Sequence, residues 1–159
     1  KNNSFLYVGR ANDPIKRFNL VRESLSRIKD GDKNIIVCGI ENPNFGNYLG
    51  HVSNERLNIL YNEAKFLFLP SKAEGIGLSM IESLICGAIP IVCSDNETAK
   101  EFLPQEFICE SNSKSIVEYI EKVSKNYEKY SESALKLGKK YKEQFDKVNI
   151  AKNILSVKK

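Results

Sequence analysis

The sequence predicts an α/β fold, three layers deep, with helices on both faces of an open, mostly parallel sheet of about six strands. Three observations carry that prediction. Short apolar runs alternate with longer amphipathic ones, the rhythm of strands and crossover helices in a parallel sheet. The short runs are almost continuously apolar, as strands covered on both faces must be. Helix caps fall in the breaks between them, where crossover helices should begin and end.

The elements follow in order. "FLYVG" (5–9) reads as the first strand. Asp13-Pro14 then offers an N-cap with proline at the first helical position, opening a helix over "DPIKRFNLVRESLSRIK" (13–29). "NIIVCG" (34–39) is the second strand, and "NYLGHV" (47–52) a weaker third. Ser53 caps "SNERLNILYNEAK"; Arg56 stands where a capping-box acid would, so Ser53 caps without the box. "FLFLP" (66–70) is the fourth strand. The helix "LSMIESLICG" (78–87) ends on Gly87, a good stop. "IPIVC" (89–93) and "EFICE" (106–110) complete the strands. Two helices, roughly 113–127 and 131–146, precede a polar tail (147–159).

At 159 residues the chain is read as one domain, 1–159, large enough for a real core. No apolar run approaches the length needed to span a bilayer. The opening "KNNSFLYVGR" runs straight into a strand without a signal-peptide layout, as if cut from something longer at a domain boundary. Cys38, Cys86, Cys93 and Cys109 sit in or beside apolar stretches with no zinc or redox spacing. They read as core packing in a reducing, cytoplasmic compartment. Residues 111–159 carry 12 Lys against 6 acids, leaving a net −2 for residues 1–110. The first reading of that excess is solvated helix faces; the second is a basic surface peripheral to an anionic membrane. Nucleic acid is not expected as a partner. No Arg follows Arg56, and no aromatic residues interleave with basic ones to stack bases. His51, the sole histidine, has no placed partner and is given no chemistry.

Chemistry concentrates where an open parallel sheet binds ligands, at the carboxyl ends of its strands. In "KAEGIGLSMIESLICGAIPIV" (72–92), Glu74 and Glu82 stand eight positions apart across Gly75-Ile76-Gly77. The helix start there presents unpaired N–H groups, which suit a phosphate or a sugar hydroxyl. Two carboxylates, each an acceptor twice over, suit vicinal diols. After the first strand, "YVGRANDPIKRF" places Gly9-Arg10 just past the strand and Lys16-Arg17 at the start of a helix. Cations oppose the dipole there unless an anion answers them. Of the last two, Arg17 is expected to lie along the helix surface, leaving Lys16 for the ligand. No phosphate-loop or dinucleotide glycine motif occurs. "DGD" (30–32) has a metal-binding D-x-D spacing but lies at the opposite edge of the sheet, where it reads as a turn.

These residues resemble the C-terminal, donor-binding half of retaining glycosyltransferases of the GT-B fold, specifically family 4 (group 1). That half is a Rossmann-like domain. The family signature is an E-x7-E within E-G-F-G-L-P-x-x-E-A-x-A-C-G-x-P-V-V, and "EGIGLSMIESLICGAIPIV" matches both acids, both glycines, Leu78 and Cys86-Gly87, with Pro90 one position beyond the signature's proline. "YVGRANDPIKRF" is similar to the family's Gly-Arg…Lys element, and "GHVSNERLNILYNEAKFLFLPS" to its G-x-V-x-x-x-x-L-x-x-x-Y-x-x-A segment. The likeness spans roughly 5–104. Ser79 replaces the usual proline, and Asn96-Glu97-Thr98 replaces a usual Gly-Gly, although Glu101 keeps an acid's place.

The resemblance implies a nucleoside-diphosphate sugar, UDP- or GDP-linked, as substrate, with no metal and no other cofactor. Glu82 would bind the ribose. Glu74 and the amides of Ile76, Gly77 and Leu78, with Gly75 and Ser79 beside them, would hold the transferred hexose. Arg10 and Lys16, with Gly9, would meet the diphosphate, and the backbone near Val52 would face the base. The implied catalytic set is Glu74, Arg10 and Lys16. A glycan or lipid-linked acceptor would be bound by an N-terminal domain absent from this chain, so the fragment alone is expected to be inactive. The implied setting is surface polysaccharide or lipopolysaccharide biosynthesis. Competing readings are a sugar-nucleotide epimerase or phosphorylase on the same fold, a carboxylate-pair glycosidase, and a flavodoxin- or receiver-like regulatory module.

Overall fold

The computed structural model describes residues 4–73 and 77–145. Six strands form one sheet: β1 (Phe5–Val8), β2 (Ile35–Cys38), β3 (Asn47–Gly50), β4 (Phe66–Leu69), β5 (Ile89–Cys93) and β6 (Ile108–Cys109). Their spatial order is β3-β2-β1-β4-β5-β6, and every adjacent pair is parallel. Phe5 lies opposite both Ile35 and Phe66, which centres β1 in the sheet. Every residue of β4 and β5 is buried, whereas edge strand β3 alternates between exposed and half-buried. That alternation explains why β3 is the weaker signal in the sequence.

The helices are α1 (Phe18–Leu25), α2 (Asn54–Glu63), α3 (Leu78–Ile85), α4 (Glu97–Phe102), α5 (Ser113–Lys125) and α6 (Tyr127–Gln144). They flank the sheet: α1 packs on α5, while α2 and α6 pack on α3. The α3–α6 contact is close because Gly138 faces it. A methyl group there would lie 2.5 Å from the carbonyl of Leu84 and the amide nitrogen of Ile85.

Pro90 lies within a central strand, where proline normally costs a ladder bond. β5 holds β4 on one side, with the Ile89 amide donating to the Lys65 carbonyl at 2.8 Å. On the other side β6 pairs only with Val92 and Cys93. No strand stands opposite Pro90 there, and the Tyr119 hydroxyl donates to its carbonyl at 3.3 Å.

All six strands sit within the segments read from the sequence, β5 with the same bounds. Ser53 accepts from the Arg56 amide as a plain N-cap, and Gly87 follows α3 with φ 66°. Three elements differ. The first helical stretch, read as continuous from Asp13, is a short 3₁₀ turn (Pro14–Lys16) capped by Asp13, then a break at Arg17, then α1. The final two helices meet at Asn126 alone, so α6 starts four residues before the expected 131. α4 was not foreseen, although Asn96 caps it by accepting from the Ala99 amide. The tail (147–159) lies outside the described residues.

Candidate functional site

From β1 the chain steps outward through β2 to β3, then returns to build β4, β5 and β6 on the other flank. The order therefore reverses between β1 and β4, and the loops leaving their carboxyl ends part in opposite directions. A hollow of about 210 Å³ opens there. Val8, Leu69 and Val92, which end or nearly end β1, β4 and β5, line it together with Met80. Its remaining lining comes from Lys16, from Gly77-Leu78-Ser79 at the start of α3, and from Asn96, Thr98 and Ala99 after β5. No carboxylate stands among these residues.

Local rules put each group in place. Gly77 takes the left-handed conformation (φ 62°, ψ 59°), which a side chain would oppose, and its carbonyl accepts the first bond of α3, from Met80 at 2.8 Å. The N–H groups of Leu78 and Ser79 lie ahead of that first bond and so have no acceptor within the helix. Gly77, at the cap position, has no side chain to offer them. The 3₁₀ turn that carries Lys16 is held by the Ile15 amide donating to the Asp13 carboxylate at 3.0 Å. It is tied to the loop after β4 by the Lys72 amide, which donates to the Ile15 carbonyl at 2.9 Å. Lys16 and a helix N-terminus thus line one concave floor, two groups whose positive ends suit an anion.

Glu82 lies on the neighbouring surface. With Tyr61, Asn54, Leu57, Asn58, Ile85 and Cys86 it lines a groove of about 340 Å³ between α2 and α3. Tyr61 joins the two regions. Its buried hydroxyl lies beside both Ser79, on the hollow, and Glu82, in the groove. Burial, and then the nearby Glu82 charge, push its ionisation far up, so it remains a neutral phenol. The sequence reading passed over Tyr61 as a site residue, although it stands in the quoted segment after Val52.

The other expected site residues stand apart from the hollow. The Arg10 guanidinium pairs with the Asp13 carboxylate at 2.7 Å and is 63% exposed. Gly9 donates its amide to the Cys38 carbonyl at 2.9 Å. Val52 is half-buried against the core after β3. Glu74, Gly75 and Ile76 lie outside the described residues. Asp30 of "DGD" pairs with Lys33 at 2.9 Å in an exposed turn. Among the described residues no cluster of three or more His, Cys, Asp or Glu could hold a metal ion.

One expectation is overturned. Arg17 does not lie along the helix surface. Its backbone is left-handed, which turns the side chain back under the rim of the hollow, where it is only 16% exposed. Its Nε donates to the Pro70 carbonyl at 2.6 Å. Its two terminal nitrogens fork onto the Asp95 carboxylate at 2.6 and 2.8 Å, and one also donates to the Ser111 Oγ at 2.5 Å. Those hydrogen bonds hold the Asp95 carboxyl below the usual carboxylate range. Next along, the buried Asn96 donates to the Ser71 carbonyl at 3.1 Å as well as capping α4.

A family model described as glycosyl transferases group 1 matches residues 1–144. The O-antigen chain mannosyltransferase B of Escherichia coli is 46% identical over 48 residues, which is 30% of this chain and 12% of that protein. Among solved structures, Anabaena HepE in complex with UDP and glucose superposes with a TM-score of 0.80 at 16% identity, over 98% of this chain and 48% of that one. WaaG, a glycosyltransferase involved in lipopolysaccharide biosynthesis, gives 0.67 at 14% identity over 92% and 48%. The likeness to both structures is one of fold, and this chain spans about half the length of each.

Proposed function

This chain belongs to the group 1 glycosyl transferases, and from that premise we propose that it is the donor-binding half of a retaining hexosyltransferase. The enzyme takes a hexose from a UDP- or GDP-linked sugar and passes it to a glycan or lipid-linked acceptor. The observation that carries the reading is the hollow at the reversal point of the sheet, which Lys16 lines together with the glycine-capped start of α3.

The chemistry follows from what those groups offer. Cleaving a glycosyl–phosphate bond leaves negative charge on the departing nucleoside diphosphate. The Lys16 ammonium and the Leu78 and Ser79 amides are fixed donors for that charge as it grows. Arg10 joins them by releasing Asp13, an exposed pair that costs little to open. Glu82 accepts the ribose hydroxyls from the adjoining groove, with the neutral Tyr61 phenol between it and the hollow. Glu74 holds the hexose, and the backbone near Val52 faces the base. No metal enters this scheme. The acceptor is bound by a further domain, so this chain alone catalyses no transfer. The named roles of the E. coli relative and of WaaG support a cell-surface polysaccharide as product. Among the described residues no helix is long and apolar enough to cross a membrane. We assign the work to the cytoplasmic face, with the basic C-terminal region near anionic lipid.

The test is a thermal-shift panel of UDP, GDP, ADP and their sugars. A ligand at a hundred times its dissociation constant stabilises by about 2.7 kcal/mol, a readily measured rise. One nucleotide should raise the midpoint, and Lys16→Ala or Glu82→Ala should remove the rise. A shift that persists in Glu82→Ala takes Glu82 out of the site; no shift with any of the panel ends the donor-binding reading.

A further inference from the structure

Arg17 is singular on two counts. It holds left-handed backbone (φ 49°, ψ 47°) at the junction between the Lys16 turn and α1. The two other described non-glycine residues with positive φ are Asp30 and Asn44, types that tolerate it. Arginine does not, and such a conformation persists where the surroundings over-determine it. Its guanidinium also reaches three loops, those leaving β4 (Pro70), β5 (Asp95) and β6 (Ser111).

We propose that Arg17 is a positioning residue: its clamp on Pro70, Asp95 and Ser111 holds the Lys16 turn in its ligand-ready place before a diphosphate arrives. The inference rests on the donor-binding reading. Arg17 is not itself a ligand for the anion, because four of its five N–H groups are already committed within the protein. Its charge is met by Asp95, and the cation that lines the hollow is its neighbour, Lys16. Lys16 is one peptide away, and a clamped Arg17 fixes where the Lys16 backbone leaves the turn. The Lys72–Ile15 bond is a second tie between the same two loops. Asp95 in turn precedes Asn96, whose side chain grips Ser71 and starts α4. One fork therefore sets three parts of the rim of the hollow. A lysine could supply the charge but not the planar, two-pronged geometry.

The experiment compares wild type with Arg17→Lys, which keeps the charge and loses the fork, and Arg17→Gly, which relieves the backbone and loses the clamp. Affinity for UDP and GDP is measured by calorimetry well below each melting midpoint, so that every variant is fully folded. Exchange of the Lys72 amide is followed in parallel. If the unclamped turn is competent a tenth of the time, affinity falls about tenfold in both variants. Lys72 should exchange faster, and adding Asp95→Asn to Arg17→Gly should cost nothing further. Wild-type affinity in either variant overturns the proposal. If wild type binds neither nucleotide, the donor reading falls first, and unchanged protection of Lys72 in Arg17→Gly still overturns the clamp.

Discussion

α3 and the Lys16 turn line one hollow, yet they are held in different ways. α3 is fixed by apolar packing: Met80, Ile81 and Leu84 are buried, and α6 presses its backbone against the helix at Gly138. The Lys16 turn buries none of its residues. Beyond its own Asp13 cap, it is held by a guanidinium and a main-chain bond, with partners from three loops far apart in sequence. Apolar packing spreads its support over many atoms, each weakly held. A polar clamp concentrates it in one geometry, so a single substitution should loosen the turn without unfolding the domain.

The sharpest way to break this contrast is Leu84→Ala, which removes a fully buried side chain from α3. It should cost about 2–5 kcal/mol, read from the urea unfolding midpoint. Gly138→Ala comes next. In an isolated helix alanine would stabilise by about 1 kcal/mol. Here the added methyl meets the α3 backbone, and overpacking should destabilise by about 1–3 kcal/mol. A stabilised Gly138→Ala protein would show that α6 does not pin α3. On the polar side, Lys16→Ala should leave the ligand-free midpoint within about 0.5 kcal/mol, as for other peripheral substitutions. Its nucleotide-induced shift should nevertheless vanish in the same instrument.

The smallest effect is in pH. Hydrogen bonds from Arg17 lower the Asp95 pKa in the folded state, so the stabilisation is present above the unfolded carboxyl value of about 4. It is lost as pH falls from there through the lowered folded value. An acid titration of stability should therefore be flatter in Asp95→Asn than in wild type over that window. The difference should be small, because Asp95 is 38% exposed and water screens the pair.

What could be read beforehand follows the same division. Asp13, Ser53 and Gly87 act locally, through bonds to amides a few positions away or through their own backbone, and their places were legible. Asn96 before Glu97 carried the same kind of signal for α4, but the helix is only six residues long and carries little periodicity. Arg17 was misread because helical spacing is blind to one left-handed residue at the boundary. Its partners lie 53, 78 and 94 positions away. Tyr61 was missed because its partners, Ser79 and Glu82, come from a different helix.

The parallel sheet, most of the caps and the carboxyl edge as the place where Lys16 and Gly77-Leu78-Ser79 lie were legible in local patterns. Apolar runs, helix periods and cap residues are short-range quantities, set by neighbours within a turn or a strand. That Lys16 and the start of α3 share one hollow, that Glu82 stands in the groove beside it, and that Arg17 reaches three loops at its rim emerged with the folded arrangement. Those facts depend on where distant loops meet once the sheet has formed, and no window of sequence contains that geometry.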